Sequence, residues 1–208
     1  MFKAEIAGKN YTLPSGYRDI TLGDYIKLHN VIEAHPELPS KVNSSNEHKF
    51  LALYKDVFLH FIPLSEDVFN KIPKDDVANV CNMLNAVLIP PKQEGIQQFE
   101  FEGETYYFPK PVYEEETFGA YIESSHLLSV SKELEGKEFA VIAEHMAIMC
   151  RKKNEEYSDK LVKKRKEVFK RLPMNIVWQY SFFLSRQKQT YESNMKHYLR
   201  IKQLNLPS

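Results

Sequence analysis

The 208 residues carry 28 Lys+Arg and 28 Asp+Glu, giving no formal net charge, and 43% of the chain is hydrophobic. That balance is enough to bury a core and excludes wholesale disorder, and no apolar run approaches the ~18 residues a membrane helix needs. Two distant cysteines, Cys81 and Cys150, supply neither a disulfide framework nor a CxxC metal pair, and Lys3, Glu5 and Lys9 interrupt any secretion signal, so a soluble protein that stays where it is made is expected.

The first predicted element is a β-hairpin over Ala4–Pro14, where alternating apolar residues flank a short polar stretch containing Gly8. Thr21-Leu22-Gly23-Asp24-Tyr25-Ile26 then opens a helix, with Thr21 as N-cap and Asp24 completing a capping box. A second helix is predicted from Asn46 to Phe61, with Phe50, Leu53, Tyr54, Val57, Phe58 and Phe61 on one face. Val68-Phe69-Asn70-Lys71-Ile72-Pro73 closes a short helix, and Pro73 can start the next because a first turn needs no N–H there. Ile89-Pro90-Pro91 cannot continue a helix and marks the boundary between residues 1–90 and 91–208.

Beyond that boundary the plan recurs. Phe99–Pro109 matches Ala4–Pro14 at an offset of 95, with Gly103, Tyr106 and Pro109 in the places of Gly8, Tyr11 and Pro14. Thr117-Phe118-Gly119-Ala120-Tyr121-Ile122 matches the first helix start at an offset of 96, and Val168–Pro173 matches Val68–Pro73 at an offset of 100. A middle helix is expected at about 137–153. Three matches in the same order predict two related repeats, each a hairpin followed by a helical bundle, in an α+β fold dominated by helix.

The last helix is predicted from Met174 to Leu204, ~31 residues and so ~46 Å long. Its first half is apolar nearly all round, whereas its second half offers a narrow stripe, Tyr191, Met195, Tyr198 and Leu199, flanked by base and suited to a partner protein. Charge is also unevenly placed: residues 1–150 hold 13 basic and 23 acidic side chains, and 151–208 hold 15 and 5. Lys163, Lys164, Arg165 and Lys166 make a second, electrostatic contact candidate, and such polarity would also let copies of the chain meet head to tail as a homo-oligomer.

No phosphate-cradling GxxxxGK[ST] or GxGxxG loop, GxSxG elbow or HExxH helix occurs, so no catalytic residue, cofactor or metal site is expected. His145 and Cys150 stand five apart on one helix, a spacing that suits core packing better than shared ligation. Nucleic-acid binding is a lesser alternative. The basic run supplies phosphate contacts, but the candidate stacking rings Trp178 and Tyr180 lie in the most apolar segment.

The FxFEGETYYF hairpin, the TFGAYIE helix start, MAIMCRKK and VFKRLPMNIVWQYSFFL together resemble tail and baseplate-hub assembly chaperones of T-even-like tailed bacteriophages, most closely over residues 98–184. The resemblance implies a non-enzymatic helper that binds tail or hub proteins in the host cytoplasm without a membrane, and it brings no catalytic residues. A permanent virion component, such as a baseplate or connector subunit, is the alternative.

Overall fold

The computed structural model describes residues 1–35, 47–87, 89, 91–109 and 138–186. The architecture is α+β and mostly helical, with two separate two-stranded hairpins. β1 (Phe2–Ile6) pairs antiparallel with β2 (Lys9–Leu13), ending with Ile6 opposite Lys9. β3 (Gln98–Phe101) pairs likewise with β4 (Glu104–Tyr107), ending with Phe101 opposite Glu104. A type I′ turn, one of the two-residue turns that match strand twist, needs positive φ at both central positions. Ala7 and Gly8 have φ of 51° and 72°, and Glu102 and Gly103 have 50° and 77°. Glycine takes the second position without steric cost, which is why one recurs in each turn.

The predicted cap of α1 (Leu22–Glu33) is present: the Thr21 hydroxyl accepts the Asp24 N–H at 3.2 Å and donates to the Asp24 carboxylate at 2.8 Å. α2 (Glu47–Phe61) buries Val57 and Phe58 and leaves Phe50, Leu53, Tyr54 and Phe61 half-buried. α3 (Glu66–Phe69) is a single turn, and Pro73 precedes α4 (Lys74–Leu84). The second half contributes α5 (Glu138–Met149), α6 (Asp159–Phe169) and the helical residues 174–186, called α7.

The turns after α3 and α6 are bonded alike. Lys71 and Ile72 donate to the Val68 and Phe69 carbonyls at 3.1 and 3.0 Å, and Arg171 and Leu172 donate to Val168 and Phe169 at 3.0 and 3.1 Å. One expectation is corrected: α5 does not run to residue 153 but ends at Met149. There the chain leaves the helix so that the Arg151 carbonyl can accept the Tyr107 N–H at 2.8 Å, extending the second hairpin. The helix start at Thr117–Ile122 and the last helix past residue 186 lie outside the described residues.

One core joins the two halves. Ile6, Leu13, Leu22, Leu28, Phe58 and Leu84 share a single buried cluster with Phe99, Met146, Phe169, Leu172 and Tyr180. Two contacts fix how the halves meet. At the first, the start of α1 abuts the end of α6: the Leu22 and Gly23 N–H groups donate to the Leu172 and Lys170 carbonyls, and Met174 N–H donates to Ile20, each at 2.8 Å. Orphan N–H donors at the start of α1 are thus met by carbonyls of the turn that follows α6. A Cβ on Gly23 would sit 3.3 Å from the Lys170 carbonyl oxygen, so glycine permits this approach. At the second, the buried Gln179 amide accepts the Glu94 N–H at 2.7 Å and donates to the Lys92 carbonyl at 2.9 Å, holding the inter-half segment as a neighbouring strand would. Among the described residues no helix is long and apolar enough to cross a membrane.

Candidate functional site

Of the two contact surfaces expected from the sequence, the basic segment 151–171 is the one that lies within the described residues. Ten cations crowd it, and like charges at helical spacing repel unless answered. Five of them meet carboxylates. Lys152 pairs with Glu104 at 2.6 Å, Lys166 with Glu144 at 2.6 Å and Lys170 with Glu167 at 2.8 Å, while Arg171 grips both Glu102 oxygens at 2.8 and 3.0 Å and Arg165 pairs with Glu155. Glu102, Glu104 and Glu144 come from the acidic side of the chain. Part of the charge polarity seen in the sequence is therefore spent inside the molecule, fastening the second hairpin and α5 to the basic segment.

Arg165 is the correction. The sequence placed it on a partner-facing patch, but it is only 6% exposed. Its Nη1 donates to the Ala147 and Cys150 carbonyls at 2.8 and 2.9 Å, and its charge lies 5.8 Å from the centre of the Tyr106 ring. A guanidinium carries five donors in a fixed fork, so it can close the end of α5 and neutralise Glu155 together, which a lysine cannot. Burial pulls its pKa below the usual guanidinium value. Of the other three candidates, Lys166 is half-buried against Glu144, whereas Lys163 and Lys164 are exposed without an ion-pair partner among the described residues. Tyr191, Met195, Tyr198 and Leu199 lie outside the described residues.

The aromatic side chains near this segment are committed to packing. Trp178 meets Tyr17 edge-on at 5.8 Å, Tyr25 at 6.2 Å and Phe139 at 5.4 Å, and stacks on Phe182 at 5.8 Å. Tyr180 is fully buried between Phe108 and Phe183, and its hydroxyl shares a 2.7 Å hydrogen bond with His145 Nδ1. The buried Tyr180 ring offers no face for a base, and Trp178 is half-buried among four aromatic neighbours, which weakens the nucleic-acid reading. His145, 3% exposed, is held well below the usual imidazole range, at about 4, by desolvation.

A cleft of about 10 Å³ lies between the inter-half segment and α7, lined by Gly95, Ile96, Gln179 and Phe183, with room for one water at most. Among the described residues no three His, Cys, Asp or Glu side chains are grouped to hold a metal ion. No family model, no curated protein and no solved structure matches the chain.

Both thiols are buried. Desolvation pushes Cys81 up to about 11 and Cys150 further still. A thiol-specific reagent near neutral pH should label neither in the folded protein and both in denaturant, because only the thiolate reacts. Rapid labelling of the native protein would contradict this placement.

The structural roles of Arg165, Gln179 and Gly23 were not legible in the sequence, which offered Arg165 only as a surface contact. The only signals were indirect: an arginine at the spacing of Val162 and Phe169 on the buried face of α6, and a glycine repeated in both helix starts.

Proposed function

We propose that the chain is a non-enzymatic assembly factor of tailed bacteriophages, which binds tail or baseplate-hub proteins in the host cytoplasm while the virion is built. The observation that carries the reading is apolar side chains left outside the core: Leu51 on α2, Val68 on α3 and Met83 on α4 are 58%, 37% and 47% exposed. Surface of this kind grips neighbouring proteins by burial rather than by chemistry. The sequence resemblance supplies the class of partner. The proposal also takes residues 1–90 and 91–208 as related halves, supported by the like register of the hairpins and the like bonding of the turns after α3 and α6.

Co-expression with tail and hub proteins should recover a stable complex. Leu51→Asp together with Met83→Asp should weaken it at least about tenfold while leaving the melting temperature near wild type, since exposed positions contribute little to folding. Failure of every tail and hub protein to co-purify would overturn the reading. Stoichiometric presence of the chain in purified virions would instead favour the permanent baseplate or connector subunit.

A further inference from the structure

We propose that the outer edge of β1 is an interface between two copies of this chain. Their β1 strands pair antiparallel about a two-fold axis at Ala4 and merge the two first hairpins into one four-stranded sheet. The pairing goes beyond the function proposed above and asks nothing of the tail or hub partner.

The register of the first hairpin decides which backbone groups are free. β1 and β2 are joined by a two-residue turn, so Ile6 and Lys9 exchange the first pair of backbone hydrogen bonds, and bonded and non-bonded pairs alternate from there. Ala4 with Tyr11 and Phe2 with Leu13 are bonded pairs. Lys3 with Thr12 and Glu5 with Asn10 are non-bonded ones, so the N–H and C=O groups of Lys3 and Glu5 point away from β2. Both residues are exposed, and among the described residues no backbone group meets them on that side. The second hairpin shows what such an edge takes up. Tyr107, in the non-bonded pair with Gln98, also turns its N–H outward and donates it to the Arg151 carbonyl at 2.8 Å. The edge of β1 has the same form without that neighbour.

Charge selects the occupant. Charged side chains on an edge strand normally block pairing with another chain. Lys3 and Glu5 lie on the solvent face of β1, two residues apart, and they block every register but one. Pairing centred on Lys3 sets lysine against lysine, and pairing centred on Glu5 sets glutamate against glutamate. Like charges directly opposite are destabilising. A one-residue slip turns the apolar side chains to the wrong face. Centred on Ala4, Lys3 of each copy faces Glu5 of the other, so their backbone groups bond and their side chains pair by charge. On the opposite face Ala4 meets Ala4 as a non-bonded pair, where Cα atoms approach to about 4.5 Å and a methyl group fits. Half-buried Phe2 comes opposite Ile6 of the second copy. The edge is complementary to itself, as a two-fold interface requires, and this favours a second copy over a foreign strand.

Light scattering on the full chain, from micromolar to low-millimolar concentration, should show the mass doubling. Glu5→Lys sets lysine against lysine in the permitted register, and Lys3→Glu sets glutamate against glutamate. Each alone should weaken pairing at least about tenfold while leaving the melting temperature of the dilute monomer near wild type. Mixed one to one, the two variants should pair with each other, and both changes in one chain should restore the wild-type dimer. A wild type that stays monomeric throughout overturns the proposal. So does a dimer that survives either single charge reversal, which puts its interface elsewhere, or a mixture of the two variants that stays monomeric. These outcomes leave the binding of tail or hub proteins to its own test.

Discussion

Replacing Arg165 by alanine should destabilise the folded chain by roughly 3–5 kcal/mol, the cost typical of removing one partner from a buried ion pair. Three groups lose their partner at once. The Ala147 and Cys150 carbonyls are left at the end of α5 without a donor, and the Glu155 carboxylate is left nearly buried without a countercharge. Lysine at 165 should recover only part of the loss, since a single ammonium cannot reach both carbonyls and the carboxylate with the geometry of a planar fork. Lys163→Ala and Lys164→Ala, on the exposed face of the same helix, should fall within about 0.5 kcal/mol of wild type. The chain has one tryptophan, Trp178, packed at the seam between the halves, so urea titrations followed by its fluorescence read these differences directly. If Arg165→Ala unfolds with wild type, the arginine does not close α5.

The second large effect is acid sensitivity above the carboxylate range. His145 has a folded value of about 4 against 6.5 when free, so between those values the unfolded chain binds a proton that the folded chain does not. Stability is full above about pH 6.5, falls as pH drops toward 4, and levels off below that, a loss of roughly 3–4 kcal/mol in all at ~1.4 kcal/mol per pKa unit. Asp19 is held down to about 2 by the Met1 ammonium group and Ser15, so its contribution is lost only below the ordinary aspartate range, in a separate window. His145→Asn keeps a hydrogen-bonding group opposite the Tyr180 hydroxyl but cannot ionise. Thermal unfolding of that variant from pH 7 to 4.5 should show a flatter slope than wild type, even if its absolute stability is lower. An equally steep slope would mean that another group supplies the proton.

Elements whose shape follows from local rules were legible in the sequence. Gly8 and Gly103 marked both hairpin turns, Thr21 with Asp24 marked the start of α1, and Pro73 marked the start of α4, because turn and cap chemistry acts over three or four residues. Elements that depend on distant groups were not. Nothing near Met149 announces the end of α5, since what stops it is a strand some 40 residues earlier and an arginine some 15 residues later. The basic run read as a contact patch for the same reason: Glu102, Glu104 and Glu144, which answer three of its charges, are remote in sequence and close in space. The apolar stripe Tyr191, Met195, Tyr198 and Leu199 lies outside the described residues, so the surface offered for the proposed partners is instead the one on α2–α4, whose Leu51 and Met83 carry no motif.

The bond between the start of α1 and the end of α6 has a consequence for biosynthesis. Leu22 must wait for Leu172, about 150 residues later, before its N–H finds the carbonyl it is matched to. At a translation rate of roughly 5–20 residues per second, the nascent first half leaves the ribosome about 8–30 s ahead of its closing contact. Long-range closure of this kind slows folding and keeps apolar segments uncovered meanwhile, so the newborn chain is exposed to aggregation until its last helices emerge.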